Sequence, residues 1–307
     1  MKPAAHAAPL TPLPPGTDVR RGGRLADFLS LTKPRLNLLV LLTTLGGLYI
    51  AAPERVGTAL ALHTLLGTAL VAGGAAALNQ VWERKTDRLM RRTSWRPVAS
   101  RRLAVLESAW FGALLGGGGV AYLTVAVNVT AAWVAAVTLI SYVFFYTPLK
   151  TRSSLSTLVG AVPGALPPVI GWAAATGSIG LPAYVLFGIV FFWQMPHFLA
   201  IAWMYRDDYA RAGIPMLPVL DPDGSRTARQ ALQYTLGLGP VSLLPVLAGI
   251  AGPAYAAVAV LLWAGLLRVT LRFSRIRSDE HARSVFLFSL AYLSLLWMAL
   301  IVDRLWL

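Results

Sequence analysis

An amide and two carboxylates, Asn79, Glu83 and Asp87, recur every four residues in the stretch NQVWERKTDRLMRRTSWRP. On a helix that interval turns each side chain only about 40° from the last, so the three lie along one face. Such an oxygen-rich line suits a hard cation such as Mg2+, which keeps several waters and bridges a few carboxylates to substrate phosphates. Arg88, Arg91, Arg92 and Arg96 follow at once and can meet the remaining phosphate charge. The same spacing also fits a solvated helix face on which Glu83 and Asp87 balance neighbouring arginines, and spacing alone does not choose.

Two further segments carry reactive groups. In YTPLK a phenol, Tyr146, and an ammonium, Lys150, stand four residues apart with Pro148 between them; an interfacial tyrosine and a snorkelling lysine give the same pattern. In WQMPHFLAIAWMYRDDYARAGIPMLPVL, Gln194 and His197 interrupt an apolar run that then emits Arg206, Asp207 and Asp208. Polar groups inside an apolar span are costly and mark functional sites, although a buried histidine bonded to a neighbouring carbonyl is the plainer reading of His197. His6, His63 and His281 receive no role. The chain has no cysteine, so disulfides, thiolate ligands and cysteine nucleophiles are excluded, and any metal must be held by oxygen or nitrogen.

The elements that must position these groups are membrane helices. Of 307 residues 56% are apolar and 13% charged, against about 25% charged in an ordinary soluble domain. About 20 apolar residues suffice to cross the hydrocarbon core. Nine such stretches occur, over 36–53, 58–81, 103–126, 131–147, 156–175, 183–204, 231–250, 254–273 and 284–302, which makes the chain an all-α integral membrane protein. The fifth contains Gly160, Pro163, Gly164, Pro167 and Pro168, the composition of a kinked, closely packed helix that borders a cavity.

The net charge of +14 follows the same topology, not a nucleic-acid surface. With nine spans, 25 of the 27 Lys and Arg residues fall on one side and only Arg55 and Arg304 on the other. That bias places the N-terminus in the cytoplasm and the C-terminus outside. Residues 1–24, rich in Pro and Ala with Arg20, Arg21 and Arg24 at their end, read as a disordered cytoplasmic tail before a single transmembrane domain over 25–307.

With these segments in view, the chain resembles the UbiA superfamily of intramembrane prenyltransferases, and within it the haem-directed branch, the protohaem IX farnesyltransferases. The resemblance runs from about Leu31 to Asp303. It rests on LTKPR, the N-x3-E-x3-D stretch with MRRTSWRP, YTPLK, PGALPPVIGW, WQMPHF and DYARAGIPMLPV; WQMPHF and PPVIGW point to the haem-directed branch. Two departures stand out. The superfamily's first motif usually has Asp where this chain has Glu83, which keeps the charge. Its second, D-x3-D, is incomplete here, because Ala212 stands four residues after Asp208, as in haem-directed members.

The resemblance implies a nine-helix bundle in the bacterial inner membrane that joins C1 of farnesyl diphosphate to a vinyl group of haem b, with water supplying the hydroxyl of haem O. It implies Mg2+ on Asn79, Glu83, Asp87 and Asp208. Arg35, Arg91, Arg92, Arg96, Lys150 and Arg206 would meet the diphosphate, with Asp207 in support. Tyr146 would bond a phosphate or face the allyl cation, and His197 would orient haem through its iron or a propionate. Haem is then substrate, not redox cofactor, and a downstream haem-modifying enzyme or oxidase assembly factors become partners. Three rivals stay open: the same chemistry on an aromatic quinone precursor, a transporter, and a haem-binding membrane subunit.

Overall fold

The computed structural model describes residues 23–52 and 56–306, and every regular element among them is helical. Helix α1 (Arg24–Leu31), absent from the hydropathy reading, leads to α2 (Pro34–Ala51), with Pro34 in the first turn, where its missing N–H has no intrahelical role. Helix α3 (Thr58–Asp87) has 30 residues, about 45 Å against a hydrocarbon core near 30 Å, so it can carry polar side chains past that core. Then come α4 (Val105–Ala126) and α5 (Val129–Ile140), the latter opened by Asn128, whose side chain accepts from the Ala131 N–H. A π-helical stretch, Ser141–Tyr146, continues α5 into α6 (Thr147–Leu149).

The expected single kinked span over 156–175 is two helices, α7 (Ser156–Ala165) and α8 (Pro167–Thr176), meeting at Leu166. Pro167 and Pro168 supply no N–H to the preceding turn and crowd its carbonyls, so the helix restarts there. The rest are α9 (Leu181–Met204), the short α10 (Arg206–Arg211) and α11 (Leu217–Leu220), then α12 (Ser225–Leu247), α13 (Pro253–Arg275) and α14 (Asp279–Trp306).

Eight spans among the described residues are long and apolar enough to cross a membrane: α2, α3, α4, α5 to α6, α7 with α8, α9, α13 and α14. Helix α12, the remaining span expected by hydropathy, packs between α9 and α13, but Arg226, Arg229, Gln230 and Gln233 make its first half polar. Apolar side chains such as Trp110, Leu114, Val125 and Leu261 stay exposed on the outside of the bundle, as a lipid solvent allows. The tail reading of 1–24 lies outside the described residues except at Gly23 and Arg24, and Arg24 already opens α1.

Small residues let backbones touch, the usual means of helix association where lipid removes the hydrophobic drive. A Cβ on Gly171 would lie 1.9 Å from Thr44 O and one on Gly47 2.1 Å from Pro168 O, so α2 and α8 cross backbone to backbone. Gly74 against Gly112 and Gly116 does the same for α3 and α4. The chain turns gather at two rims. At one, Asn128 Nδ2 donates to Ala173 O at 3.0 Å and Asp303 accepts from the Tyr255 N–H at 3.1 Å. The other, basic rim holds the ends of α3, α6, α9 and α13.

Candidate active site

At the basic rim the last turns of α3 hold Asn79, Glu83 and Asp87 at 2%, 5% and 0% exposure. This is not a solvated face. Each oxygen group meets a cation from a different part of the chain. Lys33 Nζ donates to Asn79 Oδ1 at 2.9 Å, and Lys150 Nζ donates to Glu83 Oε1 at 2.9 Å. Arg96 Nη1 donates to both Asp87 oxygens at 2.9 Å and lies 3.8 Å from Glu83 Oε2. Asn79 Nδ2 donates in turn to Thr147 Oγ1 at 3.2 Å. Two buried carboxylates are tolerable here because each is paired and hydrogen-bonded.

Lys33 is the member that the sequence reading missed. It precedes Pro34, whose ring disfavours the right-handed helical region for its neighbour, and it takes φ 48°, a left-handed conformation uncommon for a side chain larger than glycine. That turn aims its ammonium at Asn79. The available signal was a lysine before a proline at the mouth of the first span. Burial, with Arg96 close by, pushes its pKa down to about 7, while Glu83 and Asp87 pull the other way. For Lys150 burial is the largest single influence and opposes the charge, but the Glu83 carboxylate, through its charge and its hydrogen bond, together with Tyr146 and Tyr209, holds the ammonium above the ordinary lysine range.

Tyr146 closes the π-helical stretch with its ring 5.2 Å from that of Tyr142. It packs on Gly160, where a Cβ would lie 2.5 Å from the ring. Four residues on, Gly164 admits the side-chain amide of Gln194, whose Nε2 donates to Ala161 O at 2.7 Å. The glycines of α7 therefore admit Tyr146 and Gln194, and this accounts for the polar Gln194 inside an apolar span.

Asp208 arrives from α10. Its Oδ2 accepts from the Arg92 backbone N–H at 3.4 Å and its Oδ1 from Arg211 at 2.8 Å. The Arg92 guanidinium donates to Tyr209 Oη at 3.1 Å and lies 4.7 Å over the Tyr205 ring, so the loop after α3 is clamped to α10. The structure thus joins Asn79, Glu83, Asp87, Arg96 and Lys150 in one cluster and ties Asp208 to the loop carrying Arg92.

Other expected site residues stand elsewhere. Arg206 Nη1 donates to Asp279 Oδ1 at 2.6 Å and its guanidinium lies 4.6 Å over the Trp203 ring, so it links α10 to α14. Arg35, Arg91 and Asp207 are exposed, with no side-chain hydrogen bond among the described residues. His197 is buried against Trp193 and Phe286, its Nδ1 2.8 Å from Ser289 Oγ. Because that hydroxyl donates to Phe286 O at 2.7 Å, Nδ1 is the donor of the pair. The partner is a hydroxyl, not the carbonyl expected.

The donor chemistry at the end of α3 is hard oxygen throughout, which fits Mg2+. Among the described residues no three His, Asp or Glu side chains converge; Glu83 and Asp87 form the carboxylate pair, Asn79 adds an amide oxygen, and Asp208 stands on another helix.

Residues 40–296 match the UbiA prenyltransferase family. A relative named protoheme IX farnesyltransferase from Solibacter usitatus (strain Ellin6076) is 45% identical over 289 residues, covering 91% of this chain and 99% of its own length. A second of the same name, from Myxococcus xanthus (strain DK1622), is 45% identical over 280 residues, covering 91% and 95%. Among solved structures, one from work on digeranylgeranylglyceryl phosphate synthase in membranes superposes with a TM-score of 0.78 at 16% identity, over 92% of this chain and 99% of that one. A UbiA homolog from Archaeoglobus fulgidus bound to GPP and Mg2+ gives 0.63 at 16% identity, over 90% and 99%.

Proposed function

The chain belongs to the UbiA prenyltransferase family, and from that premise we propose that it transfers farnesyl from farnesyl diphosphate to a vinyl group of haem b, giving haem O and diphosphate. The observation that carries the donor half is the buried set Asn79, Glu83 and Asp87 ringed by Lys33, Lys150 and Arg96. The acceptor half is supported by the two 45% identical relatives named for protoheme IX.

Asn79, Glu83 and Asp87, with Asp208 from α10, would hold Mg2+, which supplies positive charge to the departing diphosphate oxygens. As the C1–O bond breaks, its electron pair stays on diphosphate. Lys150 and Arg96, which pair with Glu83 and Asp87, would then meet the phosphate oxygens together with Lys33, beside the Asn79 amide, and Arg92, on the loop after α3; positive charge already in place there favours the transition state over the ground state. C1 bonds to one vinyl carbon, water adds its oxygen to the other, and one proton is released. The Tyr146 hydroxyl, which has no protein partner among the described residues, is free to bond a phosphate oxygen or face the allyl cation. Exposed Arg35 and Arg91 attract the diphosphate from solution. This reading keeps nine spans, with α12 among them, in a bacterial inner membrane with the basic rim cytoplasmic.

Purified protein with farnesyl diphosphate, haem b and Mg2+ should yield a haem heavier by one farnesyl group and one hydroxyl group, with one diphosphate and one proton released. Prenylation of an aromatic quinone precursor but not of haem would overturn the acceptor; release that ignores a chelator would overturn the metal.

A further inference from the structure

Helix α13 carries three arginines that the proposed reaction does not use. Arg268, Arg272 and Arg275 are spaced four and three residues apart, which keeps them on one stripe of the helix. With Trp263, Leu267 and Leu271 they line an outward-facing groove of about 360 Å³. The Trp263 indole N–H is engaged by Thr235 O at 2.8 Å on α12, so its ring is held as a fixed wall. None of the three guanidinium groups has a carboxylate or hydrogen-bond partner among the described residues. Of the described acids at this rim, Asp279 pairs with Arg206 and Asp223 with Arg277, and Glu280 makes no ion pair with any of the three.

Position adds to the charge. Arg275 ends α13 at the basic rim, and Arg268 lies about 10 Å further in along the axis. A lone arginine at that depth snorkels outward. A ladder of three on one stripe, above an apolar wall open to the side, presents phosphate-binding forks over the whole headgroup layer. Basic grooves at the membrane surface recognise acidic lipids in this way.

We propose that the α13 groove binds an anionic glycerophospholipid, its phosphate held by Arg268, Arg272 and Arg275 and an acyl chain lying along Leu267 and Trp263. The groove is separate from the Asn79, Glu83 and Asp87 cluster, so the lipid is neither donor nor acceptor.

Native mass spectrometry of the full chain released from mixed phosphatidylglycerol and phosphatidylcholine vesicles tests this without any substitution. Retained phosphatidylglycerol in clear excess over its share of the vesicle is expected, and retention that ignores headgroup charge overturns the proposal. Replacing each of Arg268, Arg272 and Arg275 by Gln should weaken retention roughly fivefold, and all three together on the order of a hundredfold. Arg226→Gln with Arg229→Gln, at the same rim but outside the groove, should change it less than twofold. Equal loss in both sets would mean a diffuse surface field and overturn the site, as would displacement of the lipid by millimolar inorganic phosphate.

Discussion

Lys150 Nζ lies 2.9 Å from Glu83 Oε1 in a buried ion pair that fastens the residue after α6 to the last turns of α3. Removing one partner of such a pair leaves the other as an uncompensated charge, at a cost of about 3–5 kcal/mol. Glu83→Gln should therefore lower the melting temperature as well as diphosphate release, the latter by at least about 100-fold. Glu83→Asp keeps the charge, and most of its lost turnover should return as Mg2+ is raised. Turnover in Glu83→Gln equal to the parent's would remove Glu83 from the mechanism.

Arg96 reaches both oxygens of Asp87 and stands near Glu83. All three contacts run through the one terminal nitrogen Nη1 at the end of a long, planar group, and the shorter, compact and strongly hydrated lysine ammonium is a poor substitute there. Arg96→Lys is expected to raise the KM for farnesyl diphosphate on the order of tenfold and to leave the haem KM within twofold, as read from initial rates at varied concentrations of each substrate.

Arg206 pairs with Asp279, a residue 63% exposed at its side chain. Exposed pairs contribute at most about 1 kcal/mol. Arg206→Gln should shift the KM for farnesyl diphosphate by less than about threefold; a rise near that of Arg96→Lys would return Arg206 to the diphosphate site.

His197 hydrogen-bonds Ser289 and fills the space between Trp193 and Phe286. His197→Phe removes that hydrogen bond while the Ser289 hydroxyl keeps its bond to Phe286 O, a loss of about 0.5–1.5 kcal/mol. A lower melting temperature with unchanged turnover per folded molecule is expected. A changed haem absorption spectrum in the variant would instead put the imidazole at the acceptor.

Gly171 meets Thr44 O so closely that a Cβ would lie at 1.9 Å. Gly171→Ala must push α8 from α2, and overpacking of this kind costs about 1–3 kcal/mol or more. Thermal unfolding in detergent measures it, and an unchanged midpoint would show that the two helices part freely.

Much of the molecule was legible in the order of its residues. Apolar length marked out eight of the nine expected spans, because a membrane imposes a similar length on every crossing. The period of four marked Asn79, Glu83 and Asp87 as one helical face, since local geometry alone decides it. The short helix α1, the break at Leu166 and the polar start of α12 were less visible, as each departs from a simple apolar run.

Only the tertiary structure decided which cation meets which acid. Lys150 lies 67 residues from Glu83, Arg206 lies 73 from Asp279, and Lys33 lies 46 from the Asn79 amide that it bonds. Long flexible side chains are directed by the packing of the helices that bear them, not by neighbours in sequence. For that reason Arg206, which looked like a diphosphate ligand in the sequence, turns to Asp279 on α14, while Lys33, held in a left-handed turn before a proline, joins the buried cluster.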